Sequence, residues 1–99
     1  MTRKTYIKPY DRVVNWGSGT AGTVAAAPFT DEHSSEVFIQ ADKANAGTLY
    51  VGFGTTLTTI FSAIQLTAGD WATLPINNPA LIFVMGNDAS EVYNHMVFD

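Results

Sequence analysis

After residue 35 the chain alternates between apolar and polar positions with a period of two. In "EVFIQAD" Val37, Ile39 and Ala41 share one side, and Phe38 and Gln40 share the other. In "GTLYVGF" Leu49, Val51 and Phe53 stand together with Tyr50 opposite. Alternation carried by β-branched and aromatic residues predicts half-buried strands. Between these runs "KANAG" supplies Asn45 and Gly47, which suit the positive φ angles of a hairpin loop. Residues 36–54 therefore read as two strands and a short turn.

Further along, "TTLTTIFSAIQL" sends two signals. Leu57, Ile60, Phe61 and Ile64 lie at helical spacing, whereas the threonines favour strand or loop. The expectation is a loop, with room for one helical turn over 56–62, followed by a strand through "SAIQLT". "AGDW" predicts a tight turn, "WATLP" a strand stopped by Pro75, and "INNP" another turn. "ALIFVMG" is apolar on both faces, which predicts a central strand or one covered by a partner. After "NDAS", "EVYNHMVFD" points Val92, Met96 and Phe98 one way and Tyr93, His95 and Val97 the other. The first thirty residues are the least regular. "RVVNW" can form a strand, "GSGTAG" reads as loop, Pro28 closes "TVAAAP", and "FTDEHSS" is polar and turn-like. Short strands with turn signals at this spacing predict an all-β fold. It is an antiparallel β-sandwich or jelly-roll-like small barrel of about seven to eight strands. Residues 1–30 form an N-terminal arm and irregular lead-in, and 31–99 the body. No internal repeat is present.

Composition narrows the function classes. A chain of 99 residues, 46% apolar and 14% charged, can fold as one domain with a real core. Without cysteine it has no disulfide, thiolate nucleophile or sulfur-ligated zinc, which fits folding in a reducing cytoplasm. "MTRKTYIKPYD" has charge and a proline where a signal peptide has an apolar run. No apolar run reaches membrane-spanning length. The net charge of −4 is unevenly spread: Arg3, Lys4, Lys8 and Arg12 are four of the five basic residues, and Lys43 is the fifth. A basic arm on an acidic body suggests nucleic acid first. The body would repel phosphate, however, and four cations are few for it, so neither nucleic acid nor membrane is expected as a partner. Pro9 keeps the arm extended, and Tyr6, Ile7 and Tyr10 place apolar anchors among its charges. The arm is expected to dock on a neighbouring subunit or another protein.

Catalytic and cofactor motifs are weak. Gly17, Gly19 and Gly22 in "GSGTAG" satisfy G-x-G-x-x-G. A dinucleotide site also needs a helix and a parallel strand after the last glycine, and Pro28 follows too soon. "TDEHSSE" gathers Asp31, Glu32, His33 and Glu36, as an exposed polar loop does, with no second cluster to complete a metal or acid–base site. No serine lies in a nucleophile elbow. The expectation is no catalysis, no cofactor and no metal. Trp16, Trp71, Tyr50 and Tyr93 could serve as a sugar-stacking platform or as core and interface filling.

Three segments in order, "IQADKANAGTLYVGFG", "IQLTAGDWATLPI" and "ALIFVMG", resemble a pattern found in small virion proteins of tailed bacteriophages. In that pattern a strand ends in a polar turn, and a small-residue-plus-glycine step leads into a "YVG" strand. A leucine, "AGD", a strand closing near "LP" and an aromatic–aliphatic strand follow. The resemblance covers residues 36 to about 98 and leaves the first 35 unmatched. It implies a β-sandwich that works by occupying a surface: a capsid decoration (cement) protein, or a tail, neck or head-fibre component. The expected partners are the chain itself, as a homo-oligomer such as a trimer, and the major capsid protein or another virion protein, with the virion as location. On this reading Arg3, Lys4, Tyr6, Ile7, Lys8, Tyr10, Arg12 and Phe83 are the candidate interaction residues. A carbohydrate-binding module is the alternative from another class.

Overall fold

The computed structural model describes residues 13–30, 33–54, 64–88 and 90–99. The helical turn considered over 56–62, the arm residues 1–12, and Asp31 and Glu32 lie outside the described residues. The fold is all-β, in two antiparallel layers. The strands are β1 (Val13–Ala21), β2 (Glu36–Ala41), β3 (Leu49–Phe53), β4 (Ile64–Leu66), β5 (Trp71–Leu74), β6 (Ile82–Gly86) and β7 (Glu91–Phe98). Sheet A has the order β1-β7-β2-β5, and sheet B the order β4-β3-β6.

Ala26 pairs with Val84 on the free side of β6, through Ala26 N to Val84 O at 3.1 Å and Val84 N to Ala26 O at 2.9 Å. Sheet B thus gains a rudimentary fourth member. With it, successive segments alternate between the layers except at β3 and β4, which is the order of a jelly roll. The strands expected in "EVFIQAD", "GTLYVGF", "SAIQLT", "WATLP", "ALIFVMG" and "EVYNHMVFD" form over 36–41, 49–53, 64–66, 71–74, 82–86 and 91–98, with a 3-10 turn at Pro79–Leu81 at the expected start of the "ALIFVMG" strand.

Two local expectations fail for physical reasons. Residues 36–54 do not form a hairpin: β2 belongs to sheet A and β3 to sheet B, so their connection crosses the sandwich. Among the described residues positive φ occurs only at glycines, including Gly54 and Gly69, and at neither Asn45 nor Gly47. Asn45 instead docks on β7, its Nδ2 donating to Val92 O at 2.8 Å and its Oδ1 accepting from Val92 N at 2.8 Å. The side-chain amide thus takes the place of a ladder rung. Positive φ does serve the β4–β5 connection, where Gly69 has φ 84° and Asp70 N donates to Thr67 O at 2.8 Å.

The glycine-rich "GSGTAG" is strand through Ala21, not loop. Its inward positions lie beside large rings of β7, with Gly17 paired to His95 and Gly19 to Tyr93. A Cβ on Gly19 would stand 2.5 Å from the Tyr93 hydroxyl oxygen and 2.7 Å from Cζ. The glycines make room for rings rather than for a phosphate. The sandwich therefore includes residues of the expected lead-in, since β1 pairs along β7 and Ala26 along β6.

The core lies between the layers. Sheet A contributes Val37, Ile39, Ala41, Tyr93 and Val97, and sheet B contributes Leu49, Val51, Leu66, Ile82 and Val84. Phe29 is buried with them and meets the His95 ring edge-on at a centroid distance of 4.9 Å.

Candidate functional site

With the inward residues in the core, alternation directs the others to the outer faces. On sheet A these are Trp16, Ser18 and Thr20 of β1, Val92, Asn94 and Met96 of β7, Glu36, Phe38 and Gln40 of β2, and Trp71 and Thr73 of β5. Register aligns the large apolar ones. Trp16 pairs with Met96, Met96 with Phe38, and Phe38 with Thr73, while Trp71 is paired to Gln40 one position away. The Phe38 and Trp71 rings meet with centroids 5.8 Å apart. An apolar band therefore crosses all four strands. Trp16 is 74% exposed, Trp71 56% and Met96 37%.

Charge is nearly absent from this face. Within the described strands Glu36, at one corner, is its only ionisable residue. Asp42 borders the opposite end just beyond β2, where it accepts from Asn94 Nδ2 at 3.1 Å and from Ala44 N at 3.0 Å. The Ala44 amide, and then Asn94, hold the Asp42 carboxyl below the usual carboxylate range. Gln40, paired to Trp71, is also engaged, its Nε2 donating to Gly69 O at 3.3 Å. The face offers flat apolar contact, with the hydroxyls of Ser18, Thr20 and Thr73 beside the band.

The four aromatic residues considered for a sugar platform do not share a surface. Trp16 and Trp71 lie on the outer face of sheet A, and Tyr50 is on the outer side of sheet B. Tyr93 is buried in the core, where desolvation pushes its phenol pKa up. Phe83 is half-buried on the outer side of β6, paired with Gly52. Arg3, Lys4, Tyr6, Ile7, Lys8, Tyr10 and Arg12 lie outside the described residues. His33 is exposed and His95 faces inward. Among the described residues no group of three or more His, Asp or Glu side chains could hold a metal ion. No described helix is long and apolar enough to cross a membrane. Phe38 and Met96, which join the two tryptophans into one band, were not among the candidate residues. Their signal was an apolar residue at the outward position of an alternating strand.

No family model matches the chain, and no curated protein matches it. Among solved structures it is similar to a chain from work titled as showing that Bacillus endospore appendages form a novel family of disulfide-linked pili. The TM-score is 0.47 and the identity 15%, over 99% of this chain and 94% of that one.

Proposed function

We propose that this chain is a structural protein of a tailed-bacteriophage virion, a capsid decoration (cement) protein that self-associates through the outer face of sheet A and stabilises the assembled head. The observation that carries the reading is the Trp16–Met96–Phe38–Trp71 band on a face with one charge. Contiguous exposed apolar patches mark interaction surfaces, and interface cores are enriched in Trp, Phe and Met and poor in charge. The order of motifs in 36–98 supports the virion setting, because the three segments fall on β2–β3, β4–β5 and β6.

The occupant of the face is a second copy. Four strands about 4.8 Å apart and some seven residues long make a flat footprint of roughly 400 Å². Side-chain relief enlarges it toward the ~800 Å² per partner of a standard interface. Electrostatics favours the same choice. From residue 13 onward Lys43 is the only basic residue, set against eight acids, so two copies repel across most of their surfaces and least across this one. A glycan is less suited to the face, because the Gln40 and Asn94 amides already donate within the protein. The capsid then falls to the basic arm with Tyr6, Ile7 and Tyr10. A protein that binds only the assembled shell stabilises it by mass action.

Mass spectrometry of purified virions tests the reading. Hundreds of copies per particle are expected for decoration and a few for a tail or neck part. Absence from virions, or a strong hit on a glycan array, refutes it.

A further inference from the structure

Glu91 opens β7, and alternation sends its side chain inward with Tyr93, His95 and Val97. The residue has 0% exposure. Its Oε1 accepts from Gly47 N at 3.0 Å, while Oε2 is buried with no hydrogen-bond partner. A buried charge needs a counter-charge and full hydrogen bonding. Lys43, the only lysine or arginine among the described residues, does not supply it: its stem lies against Gly69 instead, with Cγ 3.8 Å from where a Cβ would stand.

Other oxygens lie near this carboxylate. A Cβ added to Gly47 would stand 2.1 Å from Asn87 Oδ1 and 2.6 Å from Glu91 Oε2. The two oxygens therefore lie no more than about 4.7 Å apart, the sum of those distances, which is within the span of two oxygens on one calcium ion; Asn87 Oδ1 also accepts from Thr48 N at 3.0 Å. A Cβ on Gly86 would meet the main-chain oxygen of Asp88 at 2.8 Å and Glu91 Cγ at 2.7 Å. The Asp88 and Glu91 carboxyl groups lie close enough to share a hydrogen bond when one of them carries a proton, and a cation can replace that proton between them. Its Oδ1 is held by Ser90 N at 2.8 Å and Ser90 Oγ at 2.5 Å, which leaves Oδ2 for another partner.

We infer that Glu91, Asp88 and Asn87 form an oxygen-ligand site for a hard divalent cation of the calcium type, which clamps the β2–β3 connection onto the β6–β7 turn. Two carboxylates, an amide oxygen and a main-chain carbonyl, with no nitrogen or sulfur ligand, suit calcium better than zinc. Asp88 lies at the exposed rim, so the ion has a way in and room to keep waters. Gly47 and Gly86 leave the space that the oxygens occupy.

The test uses the full chain after treatment with EDTA, titrated with calcium chloride and separately with magnesium chloride. Binding is followed by isothermal calorimetry and stability by thermal unfolding. Saturating calcium should raise Tm by roughly 5–10 °C, and magnesium should raise it less. Glu91→Gln, which keeps the shape and removes the charge, should abolish the calcium response. Asp88→Asn, at the rim where folding is not at stake, should weaken binding at least tenfold. No heat and no Tm change with calcium in the unaltered protein overturns the site. In that case Glu91→Gln should be at least as stable as the unaltered protein, because the amide removes a buried carboxylate that no cation meets. A calcium response equal in Asp88→Asn and the unaltered protein also overturns it, because the ion then binds elsewhere.

Discussion

Replacing both Trp16 and Trp71 with serine should abolish self-association and leave the fold in place. A tryptophan side chain offers up to ~250 Å². At 74% and 56% exposure the pair presents roughly 320 Å² per copy to solvent, worth up to ~8 kcal/mol at 25 cal/mol per Å² before association costs. Aromatic anchors at interface centres lose about 2 kcal/mol or more each on truncation. The double variant should therefore bind its partner about a thousandfold more weakly. Folding should change little. Trp16 is mostly in water already, and such exposed positions shift stability by about 0.5 kcal/mol or less. Trp71 also loses its ring contact with Phe38, for another ~0.5–1.5 kcal/mol. Since the chain has two tryptophans, intrinsic fluorescence reads the interface directly. On dilution from micromolar to nanomolar, emission of the unaltered protein should move to longer wavelength as the indoles return to water, and sedimentation velocity should show the matching fall in mass. Emission independent of concentration, or an oligomer that survives in the double variant, would refute the reasoning.

Other variants probe the scaffold. Asn45→Ala removes both bonds to Val92; Val92 O still accepts from Asp42 N, but Val92 N is left bare, at about 1–3 kcal/mol, which denaturant unfolding will measure. Gly19→Val places side-chain atoms against the Tyr93 ring in the core and should cost about 1–3 kcal/mol through overpacking, seen as an earlier melting transition. Asp70 is held below its usual pKa of 3.8 by the Thr67 hydroxyl and then the Thr67 amide. Its folded-state value is thus lower than its unfolded one, so its stabilisation is present above about pH 4 and lost as pH falls further. Melting followed by circular dichroism from pH 6 to pH 2 should show Tm falling less steeply in Asp70→Asn, and equal slopes would refute the assignment.

The alternation that marked Val37, Ile39 and Ala41 for the core was legible because a strand's period of two ties sequence parity to a face. Partnership was not, because parity says nothing about which strand lies alongside. Adjacent runs joined by a short polar link read as a hairpin, yet in a jelly roll nearly every link crosses between layers. The same confusion affected the glycines. "GSGTAG" has the composition of a loop, but what Gly19 requires is set by Tyr93, distant in sequence and adjacent only once β1 pairs with β7. Asn45 and Gly47 were singled out as turn formers, whereas the contacts that hold them are to Val92 and Glu91.

The two sites were half-legible for the same reason. Parity alone puts Phe38, Met96 and Trp71 on outward positions and Glu91 on an inward one, so each breaks the rule that apolar residues face in and charges face out. These violations are informative because folding does not explain them. An outward Trp16–Met96–Phe38–Trp71 band adds little to the stability of an isolated sandwich and lowers its solubility, and it becomes favourable once another surface covers it. An inward Glu91 costs stability unless something meets Oε2. Where local pattern and global fold disagree, function is the usual compensation. Here the two disagreements lie on opposite sides of sheet A, one on the face proposed for a partner copy and the other at the proposed ion site.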